Sequence, residues 1–585
     1  MDKLIAQWRD ILFKALCQLD GSAGVLLQIS SIVSEIPPKP EMGDLAFPMF
    51  PYAKILRMAP PIIAQKILAV LHSEGHTQAF VLGPYINVKL DREPLVREVV
   101  ESVLAQGDRY GHSDSLTGRK ILIEFSCPNT NKPLHLGHMR NNALGESLSR
   151  IFTANGAQVL KVNLINDRGI HICKSMLAYQ KLGQGATPES AGLKSDHFVG
   201  EWYVRYNQLA AETPEIEKEL SSMLLAWEAG DPEVRELWQT MNDWAVHGIQ
   251  KTYDRTKISF DRYYYEHDTY ILGKSEVAKG LAQGVFYKRD DGAIVFDLPW
   301  KTRPEDENLA QKVLLRADGT SIYLTQDVGT AVTRHGDWPF DEMYYVVASE
   351  QDLHFKVLFY CLEKLGYEWA KQLTHISYGL VNLPSGRMKT REGTVVDADD
   401  LMDLLSQGAR KEILEKGREN DVEDLETTSE DIALGALHYF LLQQNPTRDM
   451  IFNPEESLAF AGNTGPYLQY MGARISSLLS KLESQEVEGV WTPSKLNQDQ
   501  EWDLVKFLHQ FPTVVATAAR DKSPAVLASF AYDLAKSFSR FYHDLSVLGG
   551  DDNDLKVSRL QLSRAVLQVM QNCFSFLNIP FLRSM

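Results

Sequence analysis

Cysteine is scarce in this chain, and long apolar runs are missing from it. No C-x-x-C pair occurs among the five scattered cysteines, which are Cys17, Cys127, Cys173, Cys361 and Cys573. This scatter argues against structural zinc and against a disulfide framework, and it fits a reducing cytoplasm. No apolar run approaches the length of a membrane span. The first 20 residues interleave charged and apolar side chains, which predicts an amphipathic helix and not a secretion signal.

An excess of basic charge is also missing, since 60 Lys and Arg residues face 77 Asp and Glu residues, giving a net charge of −17. Nucleic-acid binders are usually recognised by basic surface, so the composition leaves a local basic path open without supporting it. The hydrophobic share of 44% and the charged share of 23% are those of an ordinary soluble globular protein. A chain of 585 residues is too long for one core, so three or four domains are expected.

The stretch from Ile121 to Asp167 organises the rest of the chain. An apolar run to Phe125 predicts a buried strand, and a loop rich in Pro and Asn follows it. Helical spacing of apolar residues from Leu136 ends at Asn155-Gly156, and Gln158–Ile165 predicts a second buried strand. This βαβ unit predicts a parallel sheet with helices on its faces. Ligands bind at the carboxyl ends of strands in such sheets.

Two histidines, His135 and His138, are predicted to lie on one face at the start of this helix. A helix N-terminus favours anions such as phosphate. Gly137 between the histidines allows close approach, and Lys132 precedes them by one turn. The pattern therefore suits a triphosphate. A metal pair and two ordinary surface histidines are the alternatives.

The segment SCPNTNKPLHLGHMRNNALGESLSRIF resembles the HIGH region of class I aminoacyl-tRNA synthetases. Its S-x-P-N-x-x-K-x-x-H-x-G-H form is similar to that of the arginyl-tRNA synthetases. The resemblance implies ATP with Mg²⁺, L-arginine and tRNA(Arg) as ligands. It also implies that His135, Gly137 and His138 bind ATP. The catalytic residues it implies are His135, His138, Lys132 and Lys389.

A second cluster begins at LLRADGTSIYLTQDVGTAVTR. Asp318-Gly319 predicts a hairpin turn, Ser321–Thr325 predicts a strand, and Asp327 is predicted to open the next helix. A helix cap is the routine alternative for that Asp327. Carboxylates and a flat aromatic ring are the partners that a guanidinium prefers, and Glu124, Tyr323 and Asp327 would supply them.

Polar residues follow a further predicted strand, Met343–Ala348, at the expected ligand edge. They include Gln351 and His354. The Y-L-T-x-D and Q-D-L-H segments resemble the arginine-pocket motifs of the family. The resemblance implies that Glu124, Tyr323 and Asp327 hold the guanidinium. It implies that Asn129 and Gln351 hold the α-amino and carboxylate end.

A strand predicted over His375–Val381 precedes a Pro-Ser-Gly turn and the basic segment RMKTREG. A solvated basic loop is the commoner meaning of such a segment. In register it resembles the class I KMSKS loop, with Arg387, Met388 and Lys389 as implied ATP-binding residues. Arg387 replaces the first lysine of the motif and Thr390 stands where the second is expected. The family resemblance implies that Lys132 substitutes for that second lysine.

The chain is predicted to be helical from Asp397 to its end, apart from an acidic linker DVEDLETTSED. The segment GNTGPYLQY has a helix–helix turn as its alternative, and it resembles a segment of the arginine-specific anticodon-binding bundle. Asn463, Tyr467 and Tyr470 are the anticodon candidates, since exposed bases are read by stacking and polar edge contacts.

Four regions are expected. They are a small α+β domain over 1–112 with a tRNA-contacting role implied by the resemblance, a Rossmann-like catalytic domain over 113–396 with an insertion at about 170–310, a connecting helix and linker over 397–430, and a helical anticodon-binding domain over 431–585. The chain is thus identified as a member of the arginyl-tRNA synthetases, a multidomain α/β plus all-α protein. We expect a cytoplasmic monomer with no structural metal and no membrane contact. The alternatives are another class I synthetase and a non-catalytic tRNA-binding paralogue.

Overall fold

The computed structural model describes residues 2–19, 28–35, 37, 40–301, 310–382, 384, 396–483, 488–547 and 549–585. The chain divides into two compact units. Unit 1 comprises Met1–Tyr110, Leu478–Phe511 and Lys536–Val569, and unit 2 comprises Gly111–Ser477, Pro512–Ala535 and Met570–Met585. Among the described residues no single helix has the length and apolarity to cross a membrane, although the bent pair Phe50–Leu56 and Pro60–Ser73 together meets that criterion.

The α-helices follow one another along the chain. They are α1 Asp2–Leu19, α2 Ala53–Leu56, α3 Pro60–Ser73, α4 Arg92–Gln106, α5 Leu136–Ala154, α6 Ile170–Leu182, α7 Pro188–Ala191, α8 Ser195–Glu212, α9 Ile216–Ala229, α10 Pro232–Arg255, α11 Glu266–Thr269, α12 Leu272–Ala282, α13 Tyr323–Asp337, α14 Asp352–Lys364, α15 Ala398–Glu415, α16 Leu425–Leu442, α17 Pro454–Ser457, α18 Gly465–Glu483, α19 Asp499–Arg520, α20 Ala525–Asp544 and α21 Asn553–Phe576.

The β-strands form four small sheets or pairs in the part of the chain that the structure describes. They are β1 Leu45–Pro48, β2 Ala79–Leu82, β3 Tyr85–Val88, β4 Lys120–Glu124, β5 Gln158–Ile165, β6 Arg262–Tyr265, β7 Tyr287–Lys288, β8 Ile294–Asp297, β9 Gln311–Leu315, β10 Glu342–Ala348, β11 Leu373–Tyr378, β12 Val381–Asn382 and β13 Met450–Ile451. In unit 1, β1, β3 and β2 form an antiparallel sheet in that order.

Unit 2 contains a five-stranded sheet in the order β11-β10-β4-β5-β6, and all its strand pairs are parallel. The predicted parallel sheet is therefore confirmed. Apolar side chains of its strands, including Leu122, Val162 and Met343, pack with α13 and α14 in one buried core. β4 lies in the middle of the strand order, and the chain adds strands on either side of it. Ligands bind at the carboxyl ends of the strands where the strand order reverses in this way.

The helix α5 covers this sheet closely because Gly145 faces the ring of Phe125. A Cβ at Gly145 would lie 2.1 Å from the Phe125 ring, so any side chain there would push the helix off the sheet. Ser126 and Cys127 follow that phenylalanine. The close packing thus fixes where the loop after β4 begins.

The predicted insertion consists mainly of helices. Helices α6, α8, α9 and α10 share a second buried core that contains Trp202, Trp227 and Trp238. The residue pattern predicts helices at Glu215–Trp227 and Pro232–Tyr253, and α9 and α10 agree with these bounds to within two residues at each end. These tryptophans pack between the helices.

Two local predictions are wrong. The Asp318-Gly319 hairpin forms, with Leu315 opposite Ser321, but Ser321–Thr325 is not a strand, and α13 already begins at Tyr323. Asp327 therefore lies in the second turn of α13 and does not cap it. Residues such as Ile322 and Thr325 favour a strand locally. The helix forms because Leu324, Val328 and Ala331 place one face in the core.

The acidic linker is the second correction, since α16 begins within it at Leu425. The Asp424 carboxylate accepts a hydrogen bond from the Thr427 N–H, at 2.6 Å, and so caps the helix. Acidic residues in the first turn favour a helix N-terminus. The segment that looked like a linker is therefore a capped helix start.

Candidate functional site

The loop after β4 begins with two residues in an unusual backbone conformation. Ser126 has φ +75° and Cys127 has φ +48°, a region that costs energy for residues other than glycine. Side-chain amides stabilise the bend. Asn141 Oδ1 accepts from the Ser126 N–H at 2.6 Å, and Asn163 Oδ1 accepts from the Cys127 N–H at 3.1 Å. The loop leaves Asn129 exposed.

The predicted histidine pair lies at the N-terminus of α5. Nδ1 of His135 accepts from the Gly137 N–H at 3.2 Å, and Nδ1 of His138 accepts from the His135 N–H at 3.1 Å. The ring centroids are 3.9 Å apart. Because both Nδ1 atoms accept a backbone proton, we assign each neutral ring its own proton on Nε2. The site therefore carries two Nε2–H donors side by side.

Gly137 is required by the same turn. A Cβ at Gly137 would lie 3.0 to 3.1 Å from atoms of the His135 ring, which is tighter than an ordinary contact. Any larger residue would thus displace the ring or break the Gly137 N–H bond to it. Packing against the His135 ring is therefore a second reason for glycine at this position, besides the close approach of a ligand.

Positive charge is disfavoured throughout this turn. Burial, then the neighbouring Lys132, lowers the pKa of His135 to about 3, against an opposing effect of Asp397. Burial, then His135 and Lys132, lowers the pKa of His138 well below its ordinary value. Burial also lowers the pKa of Lys132. Both histidines are therefore neutral at pH 7, so they act as hydrogen-bond donors. An anion bound here would favour protonation of all three groups.

The family resemblance implies that Arg387, Met388 and Lys389 of the basic segment bind the same ATP as this turn. These three residues lie outside the described residues. The described chain resumes at Val396, and its backbone pairs with the histidine turn. The Leu136 N–H donates to the Val396 carbonyl at 3.1 Å, and the Ala398 N–H donates to the Leu134 carbonyl at 3.0 Å. The segment that follows the basic residues in sequence is thus held next to His135.

Acidic side chains gather at the carboxyl ends of β4 and β6 and on α13. The buried Glu124 carboxylate forms an ion pair with the buried guanidinium of Arg334. Burial raises the pKa of Glu124 against the attraction of Arg334, and the nearby Asp327 adds to the rise. Oδ2 of Asp327 is 2.6 Å from Nε2 of His354. The Tyr323 side chain is 70% exposed. The three residues predicted to hold a guanidinium therefore lie in one region, but Glu124 already has a cationic partner.

Three further residues belong to this region and were not predicted. They are Glu266, Arg168 and Gln326. With the Gln326 amide oriented to satisfy both neighbours, its nitrogen donates to Glu266 Oε1 at 2.9 Å and its oxygen accepts from Arg168 Nη1 at 2.9 Å. Burial, with added repulsion from nearby acids including Asp327, raises the pKa of Glu266 to about 7 despite the attraction of Arg168.

A signal for these residues exists in the sequence. Glu266 directly follows β6, and Arg168 lies three residues beyond the end of β5. Ligand-binding residues follow parallel strands at their carboxyl ends. Applying that rule to every strand of the sheet would have found both, whereas a search for family motifs did not.

The remaining predicted residues lie at other places in unit 2. Gln351 is exposed immediately before α14. Asn463 Oδ1 accepts from the Tyr439 hydroxyl at 2.5 Å. The Tyr467 ring lies 5.8 Å from that of Tyr532. Tyr470 faces the Arg418 guanidinium at 5.8 Å. The anticodon candidates thus lie together around the start of α18.

A parallel sheet whose central strand leads to an H-x-G-H helix start defines a class I aminoacyl-tRNA synthetase. The family model described as tRNA synthetases class I (R), catalytic domain, matches residues 99–454. Arginine–tRNA ligases of Treponema pallidum and Treponema denticola are each 51% identical to this chain, and each comparison covers 100% of both chains. The chain belongs to the arginyl-tRNA synthetase family.

Two more family models and one solved structure agree with this membership, and a second solved structure shares the fold. The Arginyl tRNA synthetase N terminal domain model matches residues 6–90, and the DALR anticodon binding domain model matches 468–585. A Thermus thermophilus arginyl-tRNA synthetase structure has a TM-score of 0.76 at 26% identity, covering 99% of this chain and 100% of that one. An arginyl-tRNA synthetase structure from Plasmodium falciparum shares the fold, with a TM-score of 0.72 at 19% identity, covering 100% of this chain and 99% of that one.

Proposed function

We propose that this chain performs the reaction of its family in two steps. The arginine carboxylate attacks the α-phosphate of ATP, giving arginyl-adenylate and pyrophosphate. A ribose hydroxyl of the terminal adenosine of tRNA(Arg) then takes the arginyl group, and AMP leaves. Neither step needs a protein nucleophile. The observation that carries the proposal is the pair of imidazoles beside Lys132 at the N-terminus of α5, both of which accept backbone N–H groups at their Nδ1 atoms.

The histidine turn serves the nucleotide. Neutral imidazole donors and helix N–H groups stabilise phosphate oxygens as charge moves during adenylate formation. Lys132 supplies the nearby positive charge, and Arg387, Met388 and Lys389 are assigned to the same triphosphate by family resemblance. Imidazole N–H groups and ammonium groups do not ligate Mg²⁺, so we expect Mg²⁺ to arrive on the ATP phosphates.

The acidic region serves the amino acid. Asp327 offers a carboxylate that is only partly buried, and Tyr323 offers an exposed aromatic face beside it. Glu124 shares its carboxylate between Arg334 and the substrate guanidinium in this proposal. Asn129 and Gln351 are assigned to the α-amino and carboxylate end. A charged, fork-shaped ligand matches such a set of acceptors.

The remaining assignments concern the tRNA and the state of the protein. Asn463, Tyr467 and Tyr470 are proposed to contact the anticodon, since aromatic rings stack on unstacked bases and amides bind the edges of such bases. Residues 1–112 are proposed to contact the tRNA elsewhere. We also propose that the protein works as a cytoplasmic monomer.

The test is arginine-dependent exchange of pyrophosphate into ATP, measured with and without tRNA(Arg), together with aminoacylation of that tRNA. Exchange that needs tRNA would mean that the tRNA completes the active site. Exchange without tRNA would mean that the site is preformed. Binding of tRNA with no exchange under either condition would contradict the proposed reaction and favour a non-catalytic role.

A further inference from the structure

An ion-pair network lies beside the histidine turn, where the insertion meets the start of α15. Its basic members come from the insertion and its acidic members mostly from α15 and the residue before it. The basic residues are Lys194, His197 and Arg255, and the acidic residues are Asp196, Asp397, Asp399, Asp403 and Glu430. One side-chain nitrogen or oxygen atom from each of Asp196, His197 and Asp399 lies within 4.8 Å of the other two, a spacing that could also hold a metal ion. The Lys194 ammonium already lies between the two carboxylates, so the group is an ion-pair cluster.

His197 differs from the other two basic residues because it contacts Asp397. Its Nε2 lies 3.4 Å from Asp397 Oδ2 and 3.5 Å from Asp399 Oδ2. The neighbouring carboxylates of Asp397, then Asp399, raise the pKa of His197 to about 10 against the effect of burial. The side chain is therefore an imidazolium at pH 7. Lys194, in contrast, contacts Asp196, Asp399 and the hydroxyl of Thr252.

Asp397 has two roles that meet at His135. Its Oδ1 accepts from the N–H groups of Asp399, at 2.8 Å, and Asp400, at 3.3 Å, and so caps α15. Its backbone lies opposite His135 in an antiparallel bridge. Oδ2 is the oxygen left to face His197. The imidazolium thus holds the residue whose backbone lies against the nucleotide-binding histidine.

The contact between His197 and Asp397 lies beside a cavity that also reaches the histidine turn. His197, Asp397, His135 and Lys132 line one cavity of about 480 Å³. The two facing atoms, Nε2 of His197 and Oδ2 of Asp397, are themselves buried. Loss of the imidazolium would leave a buried carboxylate oxygen without its counter-charge, which would favour a shift of the Asp397 backbone. A displacement of about 1 Å near the reacting phosphates is enough to slow the chemical step strongly.

We propose that His197 is a positioning residue for adenylate formation, which fixes Asp397 and through it the backbone of His135. The proposal rests on the proposed role of the histidine turn in ATP binding. His197 is not assigned any contact with substrate. Its effect is confined to the nucleotide side of the site, because the ion pair does not reach Asp327 or Glu124.

The test is the His197→Gln variant in arginine-dependent pyrophosphate exchange, with ATP and arginine varied separately. We expect kcat/KM for ATP to fall about tenfold, with an unchanged KM for arginine. His197→Lys, which keeps a cation, should recover part of that loss. His247→Gln, an exposed histidine on α10, is the matched control and should behave as the unsubstituted protein.

Two companion variants keep the outcome clear. Asp397→Asn retains a good helix cap but loses the ion pair, so it should reproduce the ATP-specific loss even if His197→Gln folds poorly. Lys194→Gln breaks the network without removing a contact of Asp397. It should lower the melting temperature while kcat/KM for ATP changes little.

Wild-type kcat/KM for ATP in folded His197→Gln, equal changes in the ATP and arginine KM values, or no recovery by His197→Lys would each overturn the inference. His138→Ala separates this failure from that of the proposed function. If His138→Ala abolishes exchange while His197→Gln does not, the site assignment stands and only the positioning role is lost. Normal exchange in His138→Ala would remove the proposed function itself.

Discussion

The nucleotide-binding turn and the acidic region of the same sheet are built in opposite ways. The turn consists of seven consecutive residues, Lys132 to His138, and its two imidazoles are neutral. The acidic region combines side chains from β4, the ends of β5 and β6, and α13, and it is dense in charge. One site is thus a local motif that donates hydrogen bonds, and the other is a long-range assembly that accepts them.

This difference suggests a division of effects between the two substrates. Donors that meet charge developing on phosphate stabilise the transition state more than the bound substrate, so their loss should appear in kcat. Acceptors that hold a guanidinium far from the reacting atoms contribute to binding throughout the reaction. Their loss should appear in the KM for arginine.

The largest effect is expected for His138→Ala. Loss of one Nε2–H donor should lower kcat for pyrophosphate exchange about 10²- to 10³-fold, the range for a single donor to a developing oxyanion. The KM for arginine should remain close to its original value. The measurement is the exchange rate at saturating ATP and arginine, with His247→Ala as a control for loss of an exposed imidazole in the same unit.

A variant that retains a donor sharpens this result. His138→Asn keeps an N–H group near the Nδ1 position, not at Nε2, so it should not restore activity if the Nε2–H assignment is right. Full activity in His138→Asn would show that a donor at Nε2 is unnecessary. A rise in the arginine KM of His138→Ala would break the division between the two sites.

The second effect concerns Asp327→Asn, which removes the charge and keeps the shape. A hydrogen bond to a charged group is worth roughly 1.5–3 kcal/mol, so the KM for arginine should rise about ten- to a hundredfold. The change in kcat at saturating arginine should be much smaller. Glu363→Gln, an exposed acid on α14, is the control. An unchanged arginine KM would rule out a guanidinium contact.

The neutral analogue L-citrulline gives an independent check on Asp327. Its side chain has the same length as that of arginine but ends in an uncharged urea group. If the Asp327 carboxylate recognises charge, L-citrulline should inhibit the original protein far more weakly than arginine binds it. The difference in affinity between arginine and L-citrulline should be smaller in Asp327→Asn. If the arginine–citrulline difference in affinity is the same in both proteins, another side chain recognises the charge.

The contrast between the sites also explains what sequence reasoning could reach. The β4–α5–β5 unit was predicted to within one or two residues because strand runs, the helical spacing of apolar residues and an Asn-Gly stop are local signals. The histidine pair followed from the same local pattern. Its neutrality did not, because burial and the repulsion from Lys132 depend on the folded environment.

The acidic region was predicted only in part, because its residues are far apart in the sequence. Glu124, Tyr323 and Asp327 follow from family resemblance. Arg168 and Glu266 come after β5 and β6, and they join the region because the strand order places β5 next to β4 and β6 next to β5. The start of α13 was misassigned because Ile322 and Thr325 favour a strand, and the buried face that decides for a helix is defined only by its neighbours in the core. The Arg334 partner of Glu124 lies 210 positions away in sequence, and no local pattern marks it.

The smallest effect is expected from pH and tests whether Glu266 belongs to the arginine site. Burial and nearby acids raise its pKa to about 7 in the unliganded protein. A guanidinium binds the carboxylate form, so arginine must displace a proton at pH values below 7. The KM for arginine should therefore rise about tenfold as the pH falls from 8 to 6, since each unit below the pKa costs a factor of ten.

Glu266→Gln should remove this pH dependence, because the amide does not titrate, and its arginine KM at pH 8 should lie near that of the unsubstituted protein at pH 6. The KM for ATP should depend on pH in the same way in both proteins, since the phosphate-binding turn does not contain Glu266. A pH dependence that survives in Glu266→Gln would assign the titration to another group. Loss of the dependence for arginine alone would confirm that charge in the acidic region acts separately from the neutral donors at the histidine turn.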